Sequence, residues 1–216
     1  MTMHIRKLRI NGQYPNLRPI ITPTLLASIL ESLPYLYHLS LFHVHHVDPK
    51  HHLRLATPKA RFKLQSLELA FGGATEHHTP NHFLDILGLF SAIDALSLQY
   101  PRFRNGTVAE NVAENFDARF GEALPRGLRV RTFIIDDVAS GTEFWLEILR
   151  RTASTNTLTN IQILTAFPWD PSPLGSLLAA VGSKLESLRL DVSNILTFMS
   201  GETLLRPEVE VEQAYG

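Results

Sequence analysis

The chain has 216 residues, 44% of them hydrophobic and 19% charged, with 20 Lys and Arg balanced by 21 Asp and Glu. That length can bury a core of its own without a metal or disulfide staple, and the near-zero balance argues against a generic nucleic-acid binder. Cysteine is absent, which excludes thiol catalysis, thiolate zinc sites and redox switching.

Met1 to Ile10 carries Arg6, Lys7 and Arg9 with no apolar run behind them, so it does not read as a secretory leader. No apolar stretch reaches the roughly 18 residues of a membrane span. The expected location is therefore cytoplasmic or nuclear, with neither membrane nor nucleic acid as partner.

In chain order, the first predicted strand places apolar residues at relative positions 1, 4 and 6, as Ile5, Leu8 and Ile10. A helix follows, entered at Thr22-Pro23 and carrying Leu25, Leu26, Ile29, Leu30 and Leu33 at helical spacing; Ser or Thr before Pro suits an N-cap followed by the first helical residue. The triplet returns at Leu36, Leu39, Leu41 and again at Leu64, Leu67, Leu69. Thr57-Pro58 lies close before Leu64, so this interval predicts a longer loop and a shorter helix.

Thr79-Pro80 opens the next helix, with Phe83, Leu84, Ile86, Leu87 and Phe90, ahead of the triplet Ile93, Leu96, Leu98. After the longest interval come Val130, Phe133 and Ile135, then a helix capped by Thr142, with Glu143 in its first turn and Phe144, Trp145, Ile148 and Leu149 on its apolar face. Leu158, Ile161, Ile163 form the sixth triplet; Ser172-Pro173 opens a helix with Leu174, Leu177, Leu178 and Val181; Leu185, Leu188, Leu190 form the seventh. From Glu208 to Glu212 the chain alternates Glu and Val, which predicts a charged capping strand or an acidic tail over 201–216.

The triplets begin 31, 28, 29, 37, 28 and 27 residues apart, near the period of leucine-rich repeats with one long insertion. Positions 4 and 6 share one face of a strand, while 3, 5 and 7 take the other. One strand and helix cannot bury its apolar face alone, but stacked copies can. The expectation is an α/β leucine-rich-repeat solenoid over 1–200, of about seven irregular repeats, with a curved parallel sheet on the concave side and helices on the convex side.

LPYLYHLSL at Leu33 to Leu41, FKLQSLEL at Phe62 to Leu69, IDALSL at Ile93 to Leu98 and KLESLRL at Lys184 to Leu190 resemble the leucine-rich-repeat portion of fungal F-box-like proteins. The resemblance implies a substrate-recognition module of a ubiquitin ligase receptor. In that family a separate F-box docks on the ligase adaptor, but here the first triplet already begins at Ile5 and leaves no room for one. Adaptor binding is thus expected only if a missing F-box is restored. The asparagine usual at position 9 is also replaced, by Gln13, Val44, Gly72, Pro101, Val138, Ala166 and Ser193. With no polar cap ahead of Ile5, the chain is expected to be a fragment, or to have Ile5 to Ile10 covered by a partner.

The candidate partner-binding residues sit at positions 3, 5 and 7 and in the loops after the strands. From the strands come Arg9, His38, Phe42, Glu68, Gln99, Asp136, Gln162 and Arg189; from the loops Tyr100, Arg102 and Trp169. Aromatic and Arg side chains are the usual anchors of protein interfaces, although such rings can equally tuck beneath their own loops. Charge is uneven: residues 1–65 hold nine Lys and Arg against two acids, and residues 66–216 eleven against nineteen. Such a gradient can steer an acidic partner toward the first repeats, or be a merely solvated surface.

His43, His45, His46, His51 and His52 fall in one interval and His77, His78 and His82 in the next. Gathered imidazoles can bind zinc or charge together below about pH 6.5, so a histidine-dependent metal-binding or pH-responsive protein is the competing reading. A truncated remnant without independent function is a third. No acid is spaced as a further ligand, and solvated loop histidines account for the pattern. The chain has no G-x-S-x-G, Walker A or G-x-G-x-x-G motif, and Asp136-Asp137 lacks a companion base. No catalytic residue, metal or cofactor is expected.

Overall fold

The computed structural model describes residues 4–12, 21–42, 44, 61–70, 80–99, 112–136, 141–164, 171–191 and 208–212. They form an α/β structure around one sheet. Its strands are β1 (Lys7–Asn11), β2 (His38–Phe42), β3 (Phe62–Ala70), β4 (Phe90–Gln99), β5 (Arg129–Asp136), β6 (Asn160–Leu164), β7 (Ser187–Asp191) and β8 (Glu208–Glu212). Spatial order follows chain order; β1 to β7 are parallel, and β8 pairs antiparallel with β7. The described helices are α1 (Pro23–Ser32), α2 (Pro80–Leu87), α3 (Val112–Phe120), α4 (Thr142–Arg151) and α5 (Ser172–Val181).

The register aligns the triplets: Leu39 lies opposite Leu67, Leu67 opposite Leu96, Leu96 opposite Phe133 and Phe133 opposite Ile161. Strict strand alternation would turn position 1 away from positions 4 and 6, yet Leu36, Leu64, Ile93, Val130 and Leu158 are buried with them. A doubled hydrogen bond resolves the conflict. The amides of Tyr37 and His38 both donate to the Arg6 carbonyl, at 2.9 and 3.1 Å; those of Gln65 and Ser66 both donate to Tyr37, at 2.9 and 3.0 Å; those of Glu186 and Ser187 both donate to Thr159, at 2.8 and 3.1 Å. The extra residue at position 2 reverses the side-chain alternation, as a β-bulge does.

The helices lie on the side of positions 4 and 6. Leu26, Ala27 and Leu30 of α1, Phe144, Trp145, Leu146, Ile148 and Leu149 of α4, and Leu174, Leu177 and Val181 of α5 are buried in the same core as the strand leucines. An aromatic cluster joins α2, α3 and α4: Phe83 meets Trp145 at 5.4 Å between ring centroids, Phe116 meets Phe144 at 5.6 Å, and Phe120 meets Phe144 at 5.4 Å. Such edge and tilted contacts add about 0.5–1.5 kcal/mol each to the burial.

Helix entry matches expectation at one described site and departs at two. Thr22 caps α1, its hydroxyl accepting the Leu25 amide at 3.1 Å. Thr142, expected as a cap, is instead the buried first residue of α4, behind Gly141 at φ 97°; only the left-handed turn at glycine lets the chain enter there. Ser172 is likewise the first residue of α5, and the cap position is Pro171, without a side-chain capping bond. Thr57-Pro58 and Thr79 lie outside the described residues. The longest interval, for which the sequence suggested no helix, contains α3.

Two buried polar side chains of the core, Glu147 and Ser154, are paired. Glu147 is buried, its carboxylate accepting from Arg150 Nη2 at 2.7 Å and Arg151 Nε at 2.7 Å, and Arg151 also pairs with Asp117 of α3. The hydrogen bond to Glu147 holds the Arg150 guanidinium above its ordinary pKa, against a smaller opposing effect of burial. Ser154, in a short 3-10 turn (Ala153–Asn156), accepts the Val130 amide at 3.1 Å and donates to the Leu128 carbonyl at 3.1 Å. This hydroxyl supplies bonds where β5 begins.

Replacing Ser154 by Ala strands a buried donor and a buried acceptor at once. Ser154→Ala should lower unfolding free energy by about 1–3 kcal/mol. Urea denaturation checks this: the midpoint should fall with an unchanged slope.

Candidate functional site

The sheet face opposite the helices is built from positions 3, 5 and 7. Register places Arg9, Ser40, Glu68, Ser97, Ile134, Gln162 and Arg189 in one row across the strands, and Asn11, Phe42, Ala70, Gln99, Asp136 and Leu164 in the next. Most of these side chains are half-buried, held between neighbours about 4.8 Å away on either side. Arg9 and Asp136 are exposed.

Two pairs of predicted residues meet here. The Arg9 guanidinium stands over the Phe42 ring, 4.1 Å from its centroid. Glu68 accepts from Ser40 Oγ at 3.0 Å on one carboxylate oxygen and from Gln99 Nε2 at 2.9 Å on the other. Arg9–Phe42 and Glu68–Gln99 follow one diagonal, a step to the next strand and two residues along it, while Ser40 stands directly opposite Glu68. The first leaves an aromatic plane braced by a cation; the second fixes a carboxylate in place while its outer lone pairs face solvent.

The remaining predicted residues are spread out. Gln162 lies opposite Arg189 and beside Ile134, while Asp136 lies opposite Leu164, and His38 sits in the row of Lys7 and Ser66. From β1 to β7 there are six strand spacings, roughly 29 Å. Arg9 and Arg189 therefore cannot meet on one small molecule, and only an extended partner spans both. Tyr100, Arg102 and Trp169 lie outside the described residues, as do Asp137 and the histidines at 43, 45, 46, 51, 52, 77 and 78. Among the described residues no group of three His, Asp or Glu side chains is placed to hold a metal ion, and no helix is long and apolar enough to cross a membrane.

Sequence reasoning passed over a polar groove at the start of the strands. Its volume is about 630 Å³, and Lys63, Arg129, Arg131 and Lys184 line it together with Asp94 and Glu186. These side chains flank position 1 of their repeats, before and after the bulge, where a strand pattern alone assigns no shared surface. The extra residue at each bulge gathers them. At the β1 end, Ile5, Leu25, Tyr35 and Tyr37 are exposed, and His4 packs edge-on against Tyr35 at 4.4 Å.

No protein-family model, curated protein or solved structure matches the chain.

A double-mutant cycle on Arg9→Ala and Phe42→Ala should return a coupling of about 0.5–1 kcal/mol, the range for an exposed cation over a ring. Thermal or urea unfolding of the four proteins measures it, and raising the salt concentration should shrink it.

Proposed function

We propose that the chain is a non-enzymatic leucine-rich-repeat scaffold whose concave sheet face binds a protein partner. The observation that carries this reading is the division of labour across the sheet. One face packs against helices, and the other presents rows of mostly polar side chains, most of them half-buried, with the Arg9–Phe42 and Ser40–Glu68–Gln99 groups toward one end. Side chains already ordered by their neighbours lose little freedom on binding. Rows crossing seven strands suit a macromolecule rather than a metabolite.

Within this reading the partner is a substrate of a ubiquitin ligase, and the chain is the recognition module of an F-box-like receptor. The support is the run of triplets and the chain-order stacking of parallel strands. An adaptor would bind only a protein that also carries an F-box. The chain would act in the cytoplasm or nucleus.

Affinity capture with the purified chain, followed by identification of the co-purifying proteins, tests the proposal. Phe42→Ala and Glu68→Ala should each reduce recovery of the same partner several-fold, by loss of an anchor and of an ordered acceptor. Melting temperature should change little, since both side chains are partly solvent-facing. Equal recovery by wild type and both variants would remove the face from consideration.

A further inference from the structure

We propose that the groove at the start of β3 to β7 is a second binding site, for an extended acidic peptide lying across the strands with a carboxylate at every third residue. Its location separates it from the rows of positions 5 and 7, and it does not rest on the function proposed above.

The charge of the lining selects an anion. Four cations, Lys63, Arg129, Arg131 and Lys184, face two acids, Asp94 and Glu186. The acids stand on β4 and just before β7, three strand spacings or roughly 14 Å apart, so they cannot converge on a metal ion. The cations are exposed, and among the described residues Lys63, Arg129 and Arg131 form no ion pair. A guanidinium fork of this kind matches a carboxylate with two parallel hydrogen bonds.

Spacing selects a peptide. Lys63 belongs to β3, Arg129 and Arg131 to β5, and Lys184 precedes β7. Positive charge therefore recurs every second strand, at intervals of about 10 Å. A peptide in the polyproline II conformation rises about 3.1 Å per residue and repeats every three, so three residues cover roughly the same 10 Å and carboxylates at i, i+3 and i+6 fall on one side, facing successive cations. Neutral donors complete the floor. Asn156 accepts the Lys184 ammonium at 3.4 Å through its oxygen, so its amide nitrogen can still donate. Thr159 accepts from Asn160 at 2.8 Å, so its hydroxyl hydrogen can turn to a peptide carbonyl.

The test uses two fluorescent peptides of one composition, Asp-Ser-Gly-Asp-Ser-Gly-Asp and Asp-Asp-Asp-Ser-Gly-Ser-Gly, and a tetrathymidylate, titrated at low salt by fluorescence polarisation. The spaced peptide should bind the wild type, and at least several-fold more tightly than the clustered one. Arg129→Glu combined with Arg131→Glu should weaken it at least about tenfold, with the milder Arg129→Gln and Arg131→Gln pair intermediate and both proteins melting near the wild-type temperature. Phe42→Ala should leave peptide binding unchanged, which separates this site from the rows of positions 5 and 7. The proposal is overturned by absence of binding, by equal affinity for the two peptides, by retained affinity in the Gln pair and the Glu pair, or by tetrathymidylate binding as tightly as the spaced peptide.

Discussion

Everything in this molecule depends on two amide groups sharing one carbonyl. Without the bulge at position 2, a strand would send position 1 outward whenever positions 4 and 6 point inward. With it, three apolar residues per strand enter one interior, and the strand gains purchase on the helix behind it. The bond recurs at Arg6, Tyr37 and Thr159, at opposite ends of the sheet, so it is a property of the stack rather than a local accident. The groove lies along the same line, lined by residues on either side of position 1.

Around β5 the core departs from purely apolar packing. Glu147 is buried in the helix layer yet carries two arginines, one of which reaches across to Asp117 on α3. A buried carboxylate is tolerated only when such partners surround it, and here the partners also tie α3 to α4 after the longest interval in the chain. Ser154 performs a related task for the backbone, and Thr157 donates to the Val130 carbonyl at 2.9 Å. The segment between α4 and β6 thus uses hydroxyls where a longer helix would have used its own ladder of bonds.

The strands were legible in the sequence because burial enforces spacing: Leu67, Leu96 and Phe133 are buried in the core and aligned in the register. Thr22 was legible as a cap for the same local reason. Thr142 and Ser172 were misplaced by one residue, since a neighbouring Gly141 or Pro171 can take the cap position and single-residue boundaries are set by tertiary packing. α3 was hidden because its large aromatic anchors are only Phe116 and Phe120, the buried pair among its described side chains, and they pack against Phe144 of α4. On the sheet face, parity identified Arg9, Phe42, Glu68 and Gln99, but not their diagonal contacts, which depend on side-chain length. The basic groove was passed over, because its charged members flank position 1 of their repeats, where strand alternation without the bulge assigns no shared surface.

Alternation across the sheet divides the residues into two sets that never exchange: those that hold the stack and those that meet the outside. A strand here can be rewritten at positions 3, 5 and 7 while its leucines stay as they are, and the change remains confined to its own row and the two beside it. The same skeleton can then acquire a new surface one strand at a time, with no alteration to its interior.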